Sequence, residues 1–271
     1  MVAASRLRRR RDREEAGRFL AEGPQAVAAA LARPGTVREL FVTAEGARRL
    51  GPVLDTARRA GVPVSEVTDE AAAALSGTVT PQGVVAVCED VHVPLLVALA
   101  RRPRLVAVLV EIRDPGNAGT VLRTADAAGA GAVLFAGAAV DPYNGKCVRA
   151  SAGSLFHLDV VRCDDAAATV PALRAAGLRV LAATPRGDTD LDALAGARPG
   201  RSGLAGRTAW LFGSEAHGLP PELAGAADAR VRVPIHGRAE SLNLAAAAAV
   251  CLYTSARAQR REEPTHDPED V

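Results

Sequence analysis

Aromatic residues are scarce in this chain of 271 residues, at 3% of the total. That excludes an RNP-like surface on which rows of Phe, Tyr and Trp stack unpaired bases. No window approaches the roughly eighteen uninterrupted apolar residues of a membrane span, and no apolar signal core follows the arginine-rich start. The expected location is therefore cytoplasmic, with no membrane partner. Cysteine is sparse too: Cys88, Cys147, Cys163 and Cys251 lie far apart, with no C-x-x-C and no His at a ligand spacing. A disulfide framework and a metal centre both lose their basis. Lys146 is the one lysine, and the abundance of Ala, Arg and Gly points to a G+C-rich coding sequence, so the number of arginines says little by itself. Neither G-x-G-x-x-G nor G-x-x-x-x-G-K-[ST] occurs, which removes the main support for a nicotinamide or triphosphate reading.

What is present is unevenly placed. The formal net charge is only +2, yet Arg6, Arg8, Arg9, Arg10, Arg11, Arg13 and Arg18 crowd the N-terminus. Such a cluster suits a phosphate backbone. Asp12, Glu14 and Glu15 are interleaved with it, and a solvated helix face with local ion pairs explains it equally well.

The length suits two domains. Residues 4–16 read as one charged helix, followed by strand, turn at Gly23-Pro24 and helix over 19–32. Strands at 36–43, 62–67 and 83–89 then alternate with helical stretches at 45–60 and 69–76. This is a small α/β/α layered domain, assigned to 1–92. A linker over 93–103 leads to a second α/β domain over 104–260, and a tail over 261–271 is expected to be disordered. In the second domain, strands at 105–111, 132–135, 158–162, 178–183, 208–212 and 229–233 alternate with helices. The expected architecture is an open, mostly parallel sheet with helices on both faces. Residues 186–206 read as an exposed loop with one helical turn at Leu191 to Ala195, and 241–260 as a long final helix.

Three polar, glycine-bearing loops follow apolar strands. Arg113-Asp114-Pro115-Gly116-Asn117-Ala118-Gly119 closes one strand and opens a helix, where free N–H groups favour an anion. Arg123 sits further along, among Val121, Leu122, Thr124 and Ala125. A partly buried Arg there pairs with Asp126 or Glu111, or else clamps a phosphate. Gly213-Ser214-Glu215-Ala216-His217-Gly218-Leu219 follows the strand at 208–212, and its glycines allow close approach to a flat ligand. Glu215 is a candidate acid or base, though loop carboxylates also cap helices or hold arginines. After the strand at 229–233 come Glu240, Ser241 and Asn243, with Ser241 read as the N-cap of the final helix and Asn243 as a first-turn residue.

In this order D-P-G-N-A-G-x-x-x-R-T-A-D, L-F-G-S-E-x-x-G-L and V-P-I-x-G-x-x-E-S-L-N closely resemble the three motifs of the SpoU-TrmH methyltransferases of the SPOUT superfamily. The resemblance covers about 104–258. FLAEGPQAVAAAL resembles the start of the L30e-like RNA-binding domain that precedes the catalytic domain in many members. The resemblance implies S-adenosylmethionine as cofactor and 2'-O-methylation of a ribose in structured RNA. It also implies a homodimer and a C-terminal trefoil knot, which pattern reading alone would not propose. Carried over by motif, Asn117, Arg123, Glu215, Ser241 and Asn243 are the catalytic candidates, and Gly213, Val233, Ile235 and Leu242 the cofactor-binding ones. Asp114 and Ser214 stand where many members have Asn. The stretch from Tyr143 to Gly153 matches the family's R-x-S-x-G region, so Lys146 and Arg149 join Arg8, Arg9, Arg10 and Arg11 as RNA-binding candidates.

The L30e-like segment favours 23S ribosomal RNA as target. The alternatives weighed beside it are a transfer RNA 2'-O-methyltransferase, a non-catalytic RNA-binding member of the fold, and a metabolic α/β enzyme with a nucleotide cofactor.

Overall fold

The computed structural model describes residues 2–78, 80–196 and 203–261. The chain forms two compact units, one drawn from Met1–Val93, Arg113–Arg123 and Val140–Val160, the other from Pro94–Ile112, Thr124–Ala139 and Val161–Val271.

The first unit opens with α1 (Val2–Arg6) and α2 (Arg10–Ala16), not the single helix expected over 4–16. The break has a cause. Arg13 turns inward, donating from Nη1 to the carbonyls of Leu7 (3.0 Å) and Arg8 (2.9 Å) and from Nε and Nη2 to Asp141. Both ions are 5% exposed. Leu7 is buried beside Leu20, Phe41 and Leu75 in the core beneath.

The unit continues with β1 (Arg18–Glu22), α3 (Pro24–Ala32), β2 (Val37–Thr43), α4 (Ala44–Arg49), α5 (Gly51–Arg59), β3 (Val64–Val67), α6 (Asp69–Ser76) and β4 (Val84–Glu89). The apolar runs of β1, β2 and β4 pack as one sheet in the order β1-β4-β2-β3, in which only β2 and β3 run parallel. Threonines start two of the helices, as N-cap chemistry requires: Thr43 Oγ1 accepts from the Gly46 N–H at 3.0 Å and Thr68 Oγ1 from that of Ala71 at 3.2 Å. A Cβ on Gly46 would lie 2.2 Å from the Gly83 carbonyl oxygen, so only glycine lets these two turns meet.

After α7 (Leu95–Ala100) come β5 (Leu105–Val110), α8 (Pro115–Ala127), β6 (Ala132–Ala136), α9 (Gly145–Ser151), a 3-10 turn at Ser154–Phe156, β7 (Asp159–Cys163), α10 (Thr169–Ala175) and β8 (Arg179–Ala183). The remainder is β9 (Thr189–Asp190), α11 (Leu191–Gly196), β10 (Thr208–Phe212), α12 (Pro221–Ala226), β11 (Ala229–Arg232) and α13 (Leu244–Arg261). The loop expected over 186–206 thus contains a short strand and a helix, while 197–202 lie outside the described residues, as does the tail from 262.

The second sheet has the order β7-β6-β5-β10-β8-β11-β9, and its registered pairs are all parallel. Fully buried β5 and β10 explain the unbroken apolar runs LVAVLV and TAWLF, since parallel strands covered on both faces lose the alternating pattern. The mostly parallel α/β expectation holds. α13 packs on β5 and β10, with Trp210 Nε1 donating to Ser255 Oγ at 2.9 Å in the core.

Helix α8 begins three residues before the expected 118. Pro115 occupies its first position, where no N–H is needed, and Asp114 caps it by accepting the Asn117 N–H at 2.7 Å. At the other end of the chain the cap also differs from expectation. α13 starts at Leu244, and Asn243 Oδ1 accepts the N–H groups of Ala245 (2.9 Å) and Ala246 (3.4 Å). Asn243 is therefore the N-cap, while Ser241 stands outside the helix in the preceding loop.

Candidate functional site

The carboxyl ends of β8, β10 and β11 lie side by side, the usual location of a ligand crevice in an open parallel sheet. They enclose a cleft of about 420 Å³. Its apolar walls include Phe212, Val231, Val233, Ile235 and Leu242, and its polar groups include Ser214, Glu215, Glu240, Ser241 and Asn243. Among the described residues no Lys, Arg or His is in the lining, which holds the carboxylates of Glu215 and Glu240. Ile235 and Leu242, both in this lining, are each 38% exposed, so they present apolar surface to the cleft.

The loop after β10 is folded tightly on itself. Ser214 and Gly218 exchange backbone hydrogen bonds of 3.0 and 2.8 Å, and Ser214 Oγ accepts the His217 N–H at 3.3 Å. A Cβ on Gly213 would lie 2.1 Å from the Gly218 carbonyl carbon. Gly213 is required by this closure of its own loop, a local reason in addition to the ligand approach expected of it. Glu215 stands at the exposed turn that results.

The structure brings together Gly213, Glu215, Val233, Ile235, Ser241, Leu242 and Asn243, seven of the residues assigned by motif. Sequence reading missed Ala183, Thr184 and Pro185, which line the same cleft. They do so because β8 is inserted between β10 and β11 and is pinned by the Thr184 N–H donating to Val231 O at 2.9 Å. A strand order that departs from chain order leaves no mark in local periodicity.

Asn117, Arg123, Lys146 and Arg149 belong to the first unit. Arg123 is exposed, not partly buried as expected. It pairs with neither Asp126 nor Glu111, and no hydrogen bond or ion pair ties it to any described residue. Lys146 is 58% exposed and its Nζ sits 2.9 Å from Asp114 Oδ2. That hydrogen bond, followed by the one from the Asn117 N–H, holds the Asp114 carboxyl below its usual range. Arg149 is turned inward to buried Glu22 (3.1 Å) and the Ser76 carbonyl (3.3 Å).

Of the N-terminal arginines, Arg8 donates to the Ala74 carbonyl at 3.2 Å and Arg10 pairs with Glu14 at 2.8 Å. Arg6, Arg9 and Arg11 are exposed and form no ion pair among the described residues. Arg13, counted with the cluster, is an internal ion and leaves it.

Cys88, Cys147 and Cys251 are buried, and burial pushes their thiols up, that of Cys251 to about 12, so none is a thiolate nucleophile at neutral pH. Among the described residues no group of His, Cys, Asp and Glu forms a metal site, and no helix is long and apolar enough to cross a membrane.

Residues 104–253 match the model of the SpoU rRNA Methylase family, and residues 3–86 that of the MRM3-like substrate binding domain. The chain is 35% identical over 249 residues to the 23S rRNA (guanosine(2553)-2'-O)-methyltransferase RlmP of Bacillus subtilis, covering 92% of each. It is 33% identical to the 23S rRNA (guanosine-2'-O-)-methyltransferase RlmB of Bordetella pertussis, covering 83% of this chain and 90% of that one. Among solved structures, the SpoU methyltransferase AviRb from Streptomyces viridochromogenes in complex with AdoMet superposes with a TM-score of 0.80 at 32% identity, covering 96% of this chain and 98% of that one. The AdoMet-bound rRNA methyltransferase from Sinorhizobium meliloti gives 0.79 at 31%, covering 94% and 93%.

Proposed function

Because the chain belongs to the SpoU rRNA methylase family, we propose that it transfers a methyl group from S-adenosylmethionine to a ribose 2'-hydroxyl of 23S ribosomal RNA. The observation that carries this reading is the cleft lined, among the described residues, by apolar side chains and two glutamates without a cation. Such a lining repels the phosphates of NAD or ATP. It suits a flat adenosine and a positively charged sulfonium, so the residues present fit the cofactor. Val233, Ile235 and Leu242 would flank the adenosine, with Gly213 in the loop beside it.

When bound, S-adenosylmethionine supplies a methyl group activated by its sulfonium charge. The remaining tasks fall to the protein: holding the ribose oxygen in line with that methyl, excluding water and helping the weakly acidic hydroxyl lose its proton. Arg123 is a planar cation with no partner among the described residues, so it can grip an RNA phosphate through its fork and stabilise charge growing on the ribose oxygen. A guanidinium remains protonated at any pH the protein meets, so Arg123 is assigned to this clamp and not to proton removal. Asn243 has a share in fixing the site, because its side chain caps α13 at the mouth of the cleft. Asn117, Glu215 and Ser241 complete the proposed catalytic set.

The proposed division of labour gives cofactor and chemistry to 104–260 and RNA affinity to 1–92, joined by 93–103. The protein is proposed to act in the cytoplasm as a homodimer with a knotted C-terminal segment. The dimer is supported by α13, where Val250 and Tyr253 are exposed at 40% and 44%. Calorimetric titration with S-adenosylmethionine, NAD and ATP tests the cofactor: binding of the first alone is expected. Mapping of 2'-O-methyl sites on ribosomal RNA from cells with and without the gene tests the substrate, and an unchanged map would overturn the assignment.

A further inference from the structure

The amino ends of β5, β10 and β8 are adjacent, since Thr208 is in register with both Leu105 and Arg179. Each end carries arginine: Arg102 and Arg104 before β5, Arg207 before β10, and Arg179 opening β8. α13 delivers Arg260 to the same edge, because the Gln259 amide donates to the carbonyls of Arg104 (3.1 Å) and Gly206 (2.9 Å). Elsewhere in this unit some arginines face acids, as Arg174 does Asp228 and Arg232 does Asp190. Here Arg207 donates only to the carbonyls of Pro103 and Ala176, and its Nη2 is buried without a partner. Among the described residues no carboxylate pairs with Arg102, Arg207 or Arg260.

Two further observations mark the edge as strained. Burial, and after it the charge of Arg102, holds Arg207 below the usual guanidinium range. Arg102 itself has φ of 55°, a left-handed backbone that a long side chain adopts at a cost. The helix dipole accounts for Arg260 in the last turn of α13. Arg102 directly follows α7, its N–H donating to the Leu99 carbonyl, and Arg207 donates to the Ala176 carbonyl at the end of α10, so helix ends attract these two cations as well without neutralising either.

We infer that this amino edge of the parallel sheet is a second contact surface for the phosphate backbone of structured RNA, opposite the cleft. The inference rests on the RNA methylation reading and adds a part of the substrate that lies away from the reacting ribose. Among the described residues no carboxylate neutralises Arg102 or Arg207, and the charge of Arg102 adds to the cost of burying Arg207. A polyanion relieves the repulsion and releases its own counterions on doing so. The cations are spread across three strand ends, about 10 Å at ordinary strand spacing, which suits a run of phosphates better than a single anion. Strand β10 separates this edge from the cleft by about 17 Å. An RNA that reaches both must be folded and larger than a short hairpin.

The test uses the full-length R102Q/R260Q double variant, which removes two exposed charges that hold no other group. Binding to a 23S ribosomal RNA transcript is followed against salt concentration, beside methyl transfer from labelled S-adenosylmethionine. Loss of two phosphate contacts should lower the slope of log affinity against log salt by somewhat under two, and weaken binding roughly thirtyfold at about 0.15 M salt. Affinity for S-adenosylmethionine, and for a short hairpin carrying only the target loop, should stay as in wild type. R102G gives a second readout: glycine relieves the backbone, so the melting temperature should hold or rise while RNA affinity falls. A wild-type slope in R102Q/R260Q overturns the inference, as does an equal loss of binding to poly-glutamate, which would mark an acidic-protein surface. Failure of the wild-type protein to methylate would instead remove the parent reading, while the salt slope still decides this one.

Discussion

The cleft of the second unit and the N-terminal surface of the first treat charge in opposite ways. Among the described residues the cleft collects two glutamates and no cation, whereas residues 6–13 of the first unit include six arginines. Those arginines are not equivalent. Arg13 is an internal ion bound to Asp141, Arg8 and Arg10 are occupied by neighbours, and Arg9 and Arg11 face solvent without an ion pair among the described residues. The lesson is that an arginine's role is set by what its guanidinium already holds. One that is committed to a carboxylate or carbonyl must break that contact before it can grip a phosphate.

The largest break in this comparison is expected at Arg123, exposed and uncommitted. Arg123→Ala should lower kcat roughly 10²- to 10³-fold, the range for losing a donor that stabilises transition-state charge, with S-adenosylmethionine affinity within about twofold of wild type. Arg123→Lys should fail as well, because a point charge lacks the planar fork. Single-turnover methyl transfer with saturating RNA measures both, and near-normal activity of the lysine variant would sink the clamp.

Arg13 should give the opposite signature. Removing one partner of a buried ion pair leaves the other charge stranded, which costs about 3–5 kcal/mol. Arg13→Ala should therefore lower the urea midpoint sharply, and Asp141→Ala similarly, while the R13M/D141L double variant recovers much of the loss. If Arg13→Ala instead folds normally and only weakens RNA binding, Arg13 belongs with the phosphate-facing group.

Within the arginine run the effect is smaller and lies in affinity alone. R9Q/R11Q should reduce the salt slope of RNA binding by nearly two units, since each phosphate contact contributes about 0.9. Adding R8Q and R10Q should change it little further, because those side chains are engaged. Equal contributions from all four, read from affinity titrations across salt, would show that the contacts to Ala74 and Glu14 yield to RNA.

Much of this arrangement was legible in the sequence, and the exceptions have physical reasons. Strand positions and the parallel sheet followed from apolar runs such as LVAVLV, and of the three loops marked by glycine and polar residues after such runs, the two after β10 and β11 supply the cleft. Motif resemblance then singled out Gly213, Glu215, Ser241 and Asn243, which the fold does gather. What escaped was non-local. Thr184 and Pro185 enter the cleft because β8 lies between β10 and β11, and the inward turn of Arg13 depends on Asp141, more than a hundred residues away. The caps were misread for a local reason: Ser241 and Asn243 are both good capping residues two positions apart, and only the start of α13 at Leu244 decides between them.

The smallest expected effect concerns Asp114, which joins the start of α8 to Lys146. Its carboxyl is held below the usual range, first by the Lys146 hydrogen bond and then by the Asn117 N–H. A depressed carboxylate stabilises the folded state above the unfolded pKa, near about 3.9, and this contribution disappears as pH falls through the lower folded value. Asp114 is 43% exposed, so solvent screening limits the contribution to under about 1 kcal/mol. Asp114→Asn keeps the N-cap, since Asn caps as well as Asp, but loses the ion pair. Urea unfolding should therefore show the variant slightly less stable than wild type near pH 6, with the difference shrinking as the pH is taken below about 4. Equal stability of variant and wild type across that range would mean the carboxyl acts only as a cap, and that Lys146 is free to meet a phosphate as Arg9 and Arg11 are.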